Sequence, residues 1–209
     1  MSRRIEGMPI APESLPEVWP ALPFQGWNET AFTLHMWTQM VGKIRLSLTP
    51  WINHSWHVTL YLTARGLTTS PIPHGPRSFE IEFDFVQHVL LIRSGHGDER
   101  TIPLQAMAVA EFHERVMNAL REMSLEVKIS GTPNEIAEPI PFAEDQKHKS
   151  YEAEAANRFW RVLQQSDRVF KSFRSRFIGK CSAGRFRRGH GASIRREMGG
   201  EPARIRFAI

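Results

Sequence analysis

The sequence predicts an α+β fold, in which helices pack on one face of an antiparallel sheet and a long helix lies near the C-terminus. In "FEIEFDF" the apolar residues Phe79, Ile81, Phe83 and Phe85 alternate with acidic ones, which is the period of a half-buried strand. Apolar residues recur every three or four positions in 29–48, 107–123 and 151–178, which is the period of a helix. Strand-like segments are grouped between the first two helices, and this grouping favours an antiparallel sheet.

The N-terminal part predicts an extended arm followed by a helix. Residues 1–27 are rich in proline, and Asn28 is a suitable residue to cap a helix. Lys43 and Arg45 lie near the end of the predicted helix, where its dipole favours cations, and Pro50 ends it. Its apolar stripe consists of Leu34, Trp37, Val41, Ile44 and Leu48.

Five segments after this helix predict the strands of the sheet. In "WHVTLYLT" (56–63) the even-numbered residues would face one side, with His57, Thr59, Tyr61 and Thr63 on the other. Arg65-Gly66 predicts a turn and "LTTS" a short return strand, whereas the prolines of "PIPHGPR" should interrupt the ladder. "FEIEFDF" is followed by "HVLLIRS", a Gly-His-Gly-Asp turn and "ERTIPL".

The second half of the chain predicts two helices and one more strand. The helix over 107–123 is followed by the strand "LEVKIS" and a loop over 131–150. The long helix over 151–178 ends before Gly179, a natural C-cap. Its stripe consists of Phe159, Val162, Val169, Phe170, Phe173 and Phe177. We therefore expect one domain over 28–180, preceded by the arm and followed by a disordered basic Arg/Gly-rich tail over 181–209.

Composition and charge narrow the class of protein. No apolar run reaches the roughly 20 residues of a membrane helix, and the N-terminus lacks the apolar stretch of a secretory signal. The single cysteine, Cys181, cannot form an internal disulfide, so we expect a reducing, cytoplasmic setting. Residues 168–209 carry a formal net charge of +10, whereas residues 1–167 carry a formal net charge of −5. We therefore expect no membrane partner, and no nucleic-acid binding beyond nonspecific binding through the tail.

The segment "NHSWHVTLYLTARGLTTSPIPHG" is the best candidate for a binding site. Arginine offers a forked donor for a carboxylate or phosphate, and prolines stiffen the loop and lower the entropic cost of holding a ligand. If the histidines face a carboxylate, proton transfer also becomes possible. The candidate ligand-binding residues are His54, His57, Arg65, Thr68, Thr69, Ser70 and Asp84.

Other polar patterns leave the chemistry open. Glu80, Glu82 and Asp84 share one strand face and could bind a cation, but a solvated strand face is the simpler interpretation. His35, Gln39 and Lys43 form a helical stripe that could line a pocket or face solvent. Metal-ligand spacings, a nucleophile elbow and phosphate-binding loops are absent from the sequence, so it predicts no metal and leaves catalytic residues, cofactor and reaction unknown.

Whole segments of this chain resemble a bacterial family known only as domain of unknown function number 5996. These segments include "WPALPFQGW", "FEIEFDF", the stretch from "TLHMWTQM" to "TSPIPHG", and "YEAEAANRFWRVLQQSDRVFKSFRSRFIGKCS". The resemblance covers about residues 18–182 and implies a cytoplasmic bacterial protein without implying an activity. After "GKCS" the family continues through an aromatic segment, which the Arg/Gly tail replaces here. This difference predicts a truncated or frame-shifted C-terminus, or a divergent one.

Two functional hypotheses follow. In the first, the protein is a small-molecule-binding protein or an enzyme with a polar site beside the sheet. In the alternative, it is a protein–protein interaction or structural module that uses an aromatic helix face, and a homo-oligomer is one form of it.

Overall fold

The fold is α+β, as predicted. The computed structural model describes residues 17–176, 185–187 and 191–193, except for the side chains of residues 53, 54 and 56 and of the last two segments. The helices are α1 (Asn28–Leu48), α2 (Val109–Glu122) and α3 (Ala153–Ser175). The strands are β1 (Tyr61–Leu62), β2 (Gly66–Thr68), β3 (Ile72–His74), β4 (Arg77–Asp84), β5 (Val89–Ser94), β6 (Glu99–Pro103), β7 (Arg185–Arg187) and β8 (Gly191–Ser193).

The first six strands form one antiparallel sheet in the order β1-β2-β4-β5-β6, and β3 pairs with the first half of β4. Strand β4 is therefore central, and its alternation decides which face is buried. Apolar side chains form a row across the sheet, from Leu67 through Phe83 and Leu90 to Ile102. The next position of β4, Glu82, pairs with Thr68 of β2 and points to the opposite face. Strands β7 and β8 form a separate antiparallel hairpin.

Helices α1 and α2 cover the apolar face. The Trp37 ring of α1 stacks on the Phe112 ring of α2 at a centroid distance of 4.4 Å. Phe112 in turn lies 6.5 Å from Phe83 of β4, ring centroid to ring centroid. Four of the five predicted stripe residues of α1 are buried, namely Leu34, Trp37, Val41 and Ile44. The predicted apolar stripe is therefore buried, but so is every other residue from 39 to 45, which means that this part of the helix is covered on all sides.

The predicted strand over 56–63 is wrong for most of its length. Residues Asn53–Val58 form a 3-10 helix, and only Tyr61–Leu62 pair with β2. The reason lies in β2, which ends at Thr68 because the chain bends at Ser70, where φ is 56°. Residues 56–58 therefore continue the 3-10 helix, the Thr59 carbonyl accepts a hydrogen bond from Arg45, and Leu60 forms an isolated bridge.

Two further strand predictions were wrong in opposite directions. The segment "PIPHGPR" was expected to interrupt the sheet, yet Ile72–His74 form β3, in which Pro73 is tolerated at an edge. The segment "LEVKIS" is not a strand. Its start lies beside β3 and is bonded by side chains, since Arg77 donates to the Ser124 carbonyl and His74 contacts the Glu126 carbonyl.

The helix ends also differ from the predictions. Helix α1 begins at Asn28 with Trp27 at the cap position, so Asn28 is the first helical residue and not the cap. In α3 the buried residues are Ala155, Ala156, Trp160, Leu163 and Ser166, whereas Val169 and Phe173 of the predicted stripe are exposed. Helix α3 is described to Ser175, so Phe177 and Gly179 lie outside the described residues.

Candidate functional site

A buried arginine at the end of α1 is the centre of the candidate site. Arg45 lies in the last turn of the helix, and its side chain extends toward the sheet, with only 6% of the residue exposed. One terminal nitrogen, Nη1, donates to the Thr59 carbonyl, and the other, Nη2, lies 3.3 Å from the Ser70 hydroxyl. The Tyr61 ring covers the guanidinium at 5.1 Å from its centroid. Helix α1, the start of β1 and the β2–β3 bend thus meet at this side chain.

The charge of Arg45 is not balanced by a carboxylate within the described part of the chain. Its Nε atom is buried without a hydrogen-bond partner there. The hydroxyl oxygens of Thr49 and Thr59 are buried and unpartnered among the same residues. Buried cations are normally paired, so the Arg45 guanidinium is suited to binding an anion.

His57 lies close to this cluster and is fully buried, at 1% exposure. Its Nδ1 accepts the backbone N–H of Ile52 at 3.3 Å, and its ring packs 5.1 Å from the exposed Trp51 ring. Nδ1 is therefore the acceptor in this contact. The predicted partner His54 belongs to the same 3-10 helix, and its side chain lies outside the described residues.

The hydroxyl run Thr68–Ser70 has three separate tasks. Thr68 Oγ1 accepts the Ser70 N–H at 2.9 Å and holds the bend. Thr69 is completely buried, where its hydroxyl accepts the Ile81 N–H at 3.0 Å and donates to the Ser70 carbonyl. Of the three hydroxyls, only that of Ser70 contacts Arg45. The Ser70 hydroxyl therefore lies beside Arg45, whereas the Thr68 and Thr69 hydroxyls shape the bend.

Arg65 and Asp84 form an ion pair of their own at the junction of β2 and β4. Arg65 Nε lies 2.5 Å from Asp84 Oδ2, and the Asp84 side chain is buried. Asp84 Oδ1 also accepts the backbone N–H groups of Val86 and Gln87, which closes the turn after β4. Both oxygens of this carboxylate thus have protein partners.

The pKa of Asp84 is consistent with its role in pairing with Arg65 and closing the turn after β4. Burial by itself would raise the pKa of the Asp84 carboxyl, but the hydrogen bond from Arg65 and the two backbone N–H groups outweigh it. The net result is a pKa below the usual value of an aspartate. Asp84 is therefore ionised at neutral pH and is a poor proton donor there.

The other acidic residues of β4 pair with an arginine of β5. Arg93 lies 2.9 Å from Glu82 and 3.5 Å from Glu80, nitrogen to oxygen. Thr63 donates a second hydrogen bond to Glu82. Among the residues that the structure describes, no group of three His, Cys, Asp or Glu side chains is placed to hold a metal ion.

A second polar contact joins His88 to Tyr151 above the end of β4. His88 Nδ1 lies 2.8 Å from the Tyr151 hydroxyl. Burial and the nearby charge of Asp84 raise the pKa of Tyr151 far above its ordinary range, whereas burial lowers the pKa of His88. The phenol therefore keeps its proton at neutral pH and serves as a hydrogen-bonding group.

The polar stripe of α1 was expected either to line a pocket or to face solvent, and in the structure Gln39 and Lys43 are buried whereas His35 is half-buried. Gln39 and Lys43 are 0% and 4% exposed. Gln39 makes two hydrogen bonds to the backbone of Asn134, and Lys43 Nζ donates to the Asn134 side chain at 2.8 Å. These residues hold the 131–150 loop against α1.

Sequence reasoning missed Arg45, Thr59 and Tyr61 as members of the candidate site. Arg45 was interpreted as a cation favoured by the helix dipole. A signal was present, because Arg45 follows Trp37 and Val41 at steps of four residues and so continues the buried face of the helix. A charged residue on that face must find partners inside the protein.

The fold is α+β, and beside the edge of its sheet lies a buried arginine that has no ion-pair partner among the residues that the structure describes. The chain belongs to a family of unknown function, DUF5996, whose family model matches residues 19–190. This confirms the resemblance seen in the sequence. No curated protein and no solved structure matches the chain. Within the described residues, no helix is long and apolar enough to cross a membrane.

Proposed function

We propose that this protein binds a small anionic molecule at Arg45. The observation that carries the proposal is the buried guanidinium, which has no carboxylate among the described residues and an Nε–H without a partner. Removing an ion from water is costly unless a counter-charge or hydrogen bonds replace the water. An anion at Nε would supply the missing charge and the missing acceptor together.

The surroundings of Arg45 support binding of a ligand from solvent. Ser70 and Tyr61, which flank the guanidinium, are only half-buried, so the site lies just below the surface. The Ser70 hydroxyl can rotate to donate to a bound oxygen. This polar site beside the sheet matches the small-molecule hypothesis, although Arg65 and Asp84 belong to a neighbouring ion pair.

A thermal-shift assay with small anions tests the proposal. A ligand at ten times its Kd stabilises the native state by about 1.4 kcal/mol, which raises Tm by about 3–6 °C in a domain of this size. We expect this shift for at least one of formate, acetate and inorganic phosphate, measured against NaCl of equal ionic strength. Arg45→Lys keeps the charge but removes the fork and Nε–H, so the shift should disappear in that variant.

Arg168→Lys makes the same substitution at an exposed position of α3 and should leave the shift unchanged. Each Tm is compared with that of the same variant in NaCl, so a change in basal stability does not obscure the result. Equal shifts in wild type and Arg45→Lys, for all three anions, would contradict the proposal.

One observation favours a second candidate, self-association through α3. Val169 and Phe173 lie four residues apart on one helix face and are 52% and 66% exposed. Exposed apolar residues of this size favour contact with another protein surface. A second copy of the chain would place the same residues opposite one another.

Sedimentation equilibrium tests this candidate. The neighbouring cations Arg168, Lys171 and Arg174 would repel their copies, so salt should strengthen association by screening that repulsion. The double variant Val169→Ser/Phe173→Ser should be monomeric at protein concentrations where the wild type is dimeric. A wild type that stays monomeric at high salt and high protein concentration would eliminate self-association.

A further inference from the structure

One edge of the Arg45 guanidinium has a nitrogen without a hydrogen-bond partner, and this edge limits the shape of a ligand that could bind there. Nη1 donates to the Thr59 carbonyl and Nη2 to the Ser70 hydroxyl, whereas Nε has no partner in the described part of the chain. The guanidinium is planar, and Nε–H and one Nη2–H point in parallel from the same edge. This edge accepts two oxygens that lie in its plane and are separated as in a carboxylate.

The Nε edge and the faces of the guanidinium are both shielded from solvent. The Tyr61 ring lies over one face, 5.1 Å from ring centroid to the guanidinium carbon. Arg45 as a whole is 6% exposed, so little room remains around its other atoms. A planar group stays in the plane of the guanidinium, whereas a tetrahedral group places additional oxygens out of that plane, including on the side that the Tyr61 ring covers.

The charge of the site limits the charge of the occupant. Arg45 contributes one positive charge to the site. The ion pair of Arg65 with Asp84 is neutral as a unit. The C-terminal end of α1 adds a partial negative charge. A dianion would leave at least one negative charge buried without compensation, whereas a monoanion matches the guanidinium.

We propose that the occupant of the Arg45 site is a monocarboxylate, held by the paired Nε–H and Nη2–H and not a phosphate dianion. This inference rests on the proposed anion-binding function and specifies its ligand class. The carboxylate oxygens accept the two parallel N–H groups, and the Ser70 hydroxyl lies beside Nη2 to donate a third hydrogen bond. Burial then strengthens these charge-assisted bonds, because little water competes for the guanidinium.

Titrations of acetate, formate and inorganic phosphate at pH 8 test the ligand class, since phosphate is mostly a dianion at that pH. The readout is the Tm of wild type and of Arg45→Lys, each against NaCl of equal ionic strength. Acetate and formate should each raise the wild-type Tm by about 3–6 °C at ten times their Kd and leave the variant unchanged. Phosphate should shift both proteins equally, as expected for its general exclusion from protein surfaces.

The possible outcomes separate this inference from the proposed function. An Arg45-dependent shift with phosphate, larger than that with acetate, overturns the monocarboxylate class but leaves the anion site in place. The absence of an Arg45-dependent shift with all three anions overturns both. An Arg45-dependent shift with the carboxylates alone supports both.

Discussion

At the scale of single residues, Asp84 shows how a chemically reactive residue can have a structural task. It was predicted as a ligand-binding residue because a carboxylate facing the histidines of residues 53–75 would make proton transfer possible. In the structure it is buried, pairs with Arg65, and accepts the N–H groups of Val86 and Gln87. Asp84→Asn removes the negative charge but keeps a side-chain oxygen. That amide oxygen can still accept the two backbone N–H groups that close the turn.

We expect Asp84→Asn to lower the free energy of unfolding by about 1–2 kcal/mol at pH 7, because the half-exposed Arg65 loses its charged partner. The pKa of Asp84 is lower in the folded state than in the unfolded state, so its contribution is fully present above the unfolded pKa. It is lost as the pH falls through the folded pKa. The difference between wild type and variant should therefore narrow below about pH 4.

Urea unfolding at pH 7, 5, 4 and 3 measures this difference directly. Glu80→Gln is the matched control, because Glu80 lies on the same strand and is half-exposed, 3.5 Å from Arg93. The Glu80→Gln substitution should lower the free energy of unfolding by less than about 0.5 kcal/mol at each pH. A difference for Asp84→Asn that stays constant down to pH 3 would show that its pKa is not lowered by folding.

The same scale explains why Arg45 was not predicted as a site residue. The helix period places Arg45 on the buried face of α1 but says nothing about what it meets there. Its partners Thr59, Tyr61 and Ser70 come from segments 14 to 25 residues away. Such contacts depend on how the chain folds back, and a single sequence contains no local signal for them.

At the scale of elements, the bend between β2 and β3 shapes the candidate site. Ser70 adopts a positive φ of 56°, and Thr69 holds the bend to the central strand by exchanging hydrogen bonds with Ile81. The Thr69 hydroxyl takes the place of a backbone acceptor where the ladder is interrupted. Loss of that hydroxyl leaves a buried N–H without a partner.

We expect Thr69→Val to lower the free energy of unfolding by about 1–3 kcal/mol, because it is nearly isosteric but leaves the Ile81 N–H unsatisfied. Thr69→Ser keeps the hydroxyl and loses only a methyl group, which costs about 0.8 kcal/mol. Chemical denaturation of both variants measures the comparison. If the serine variant were the less stable of the two, the hydroxyl would not be what holds the bend.

The strand predictions were correct where a neighbouring strand was available for pairing and wrong where none was. Strand β4 was predicted well because apolar and acidic residues alternate along it and because it has a neighbouring strand on each side. The segment 56–63 also alternates, but β2 is too short to pair with it. The segment "LEVKIS" alternates as well and meets side chains of Arg77 and His74 where a strand ladder would require backbone. Alternating apolar and polar residues predict that one face of a segment is buried. To form a strand, the segment also needs a neighbouring strand that pairs with its backbone.

At the scale of the whole molecule, the α+β fold was predictable because it depends on periodicity alone. Helices α1 and α2 seal the apolar face of the sheet, and α3 packs beside α1 with Trp160 and Leu163 in the same core. The location of the site depends instead on where α1 ends relative to the β2–β3 bend. The expected tail over 181–209, the cytoplasmic location and the altered C-terminus stay predictions, and only the short β7–β8 hairpin of that tail is described.

The most direct test of the account is an NMR titration of the arginine Nε–H signals with sodium acetate, in which the Arg45 signal is assigned by its loss in Arg45→Lys. A buried Nε–H that exchanges slowly with water should be visible without ligand and should move to a saturable end point as acetate is added. Sodium chloride at equal ionic strength should leave it in place. An Arg45 signal that does not respond to acetate, or that exchanges as fast as those of exposed arginines, would contradict the buried anion site.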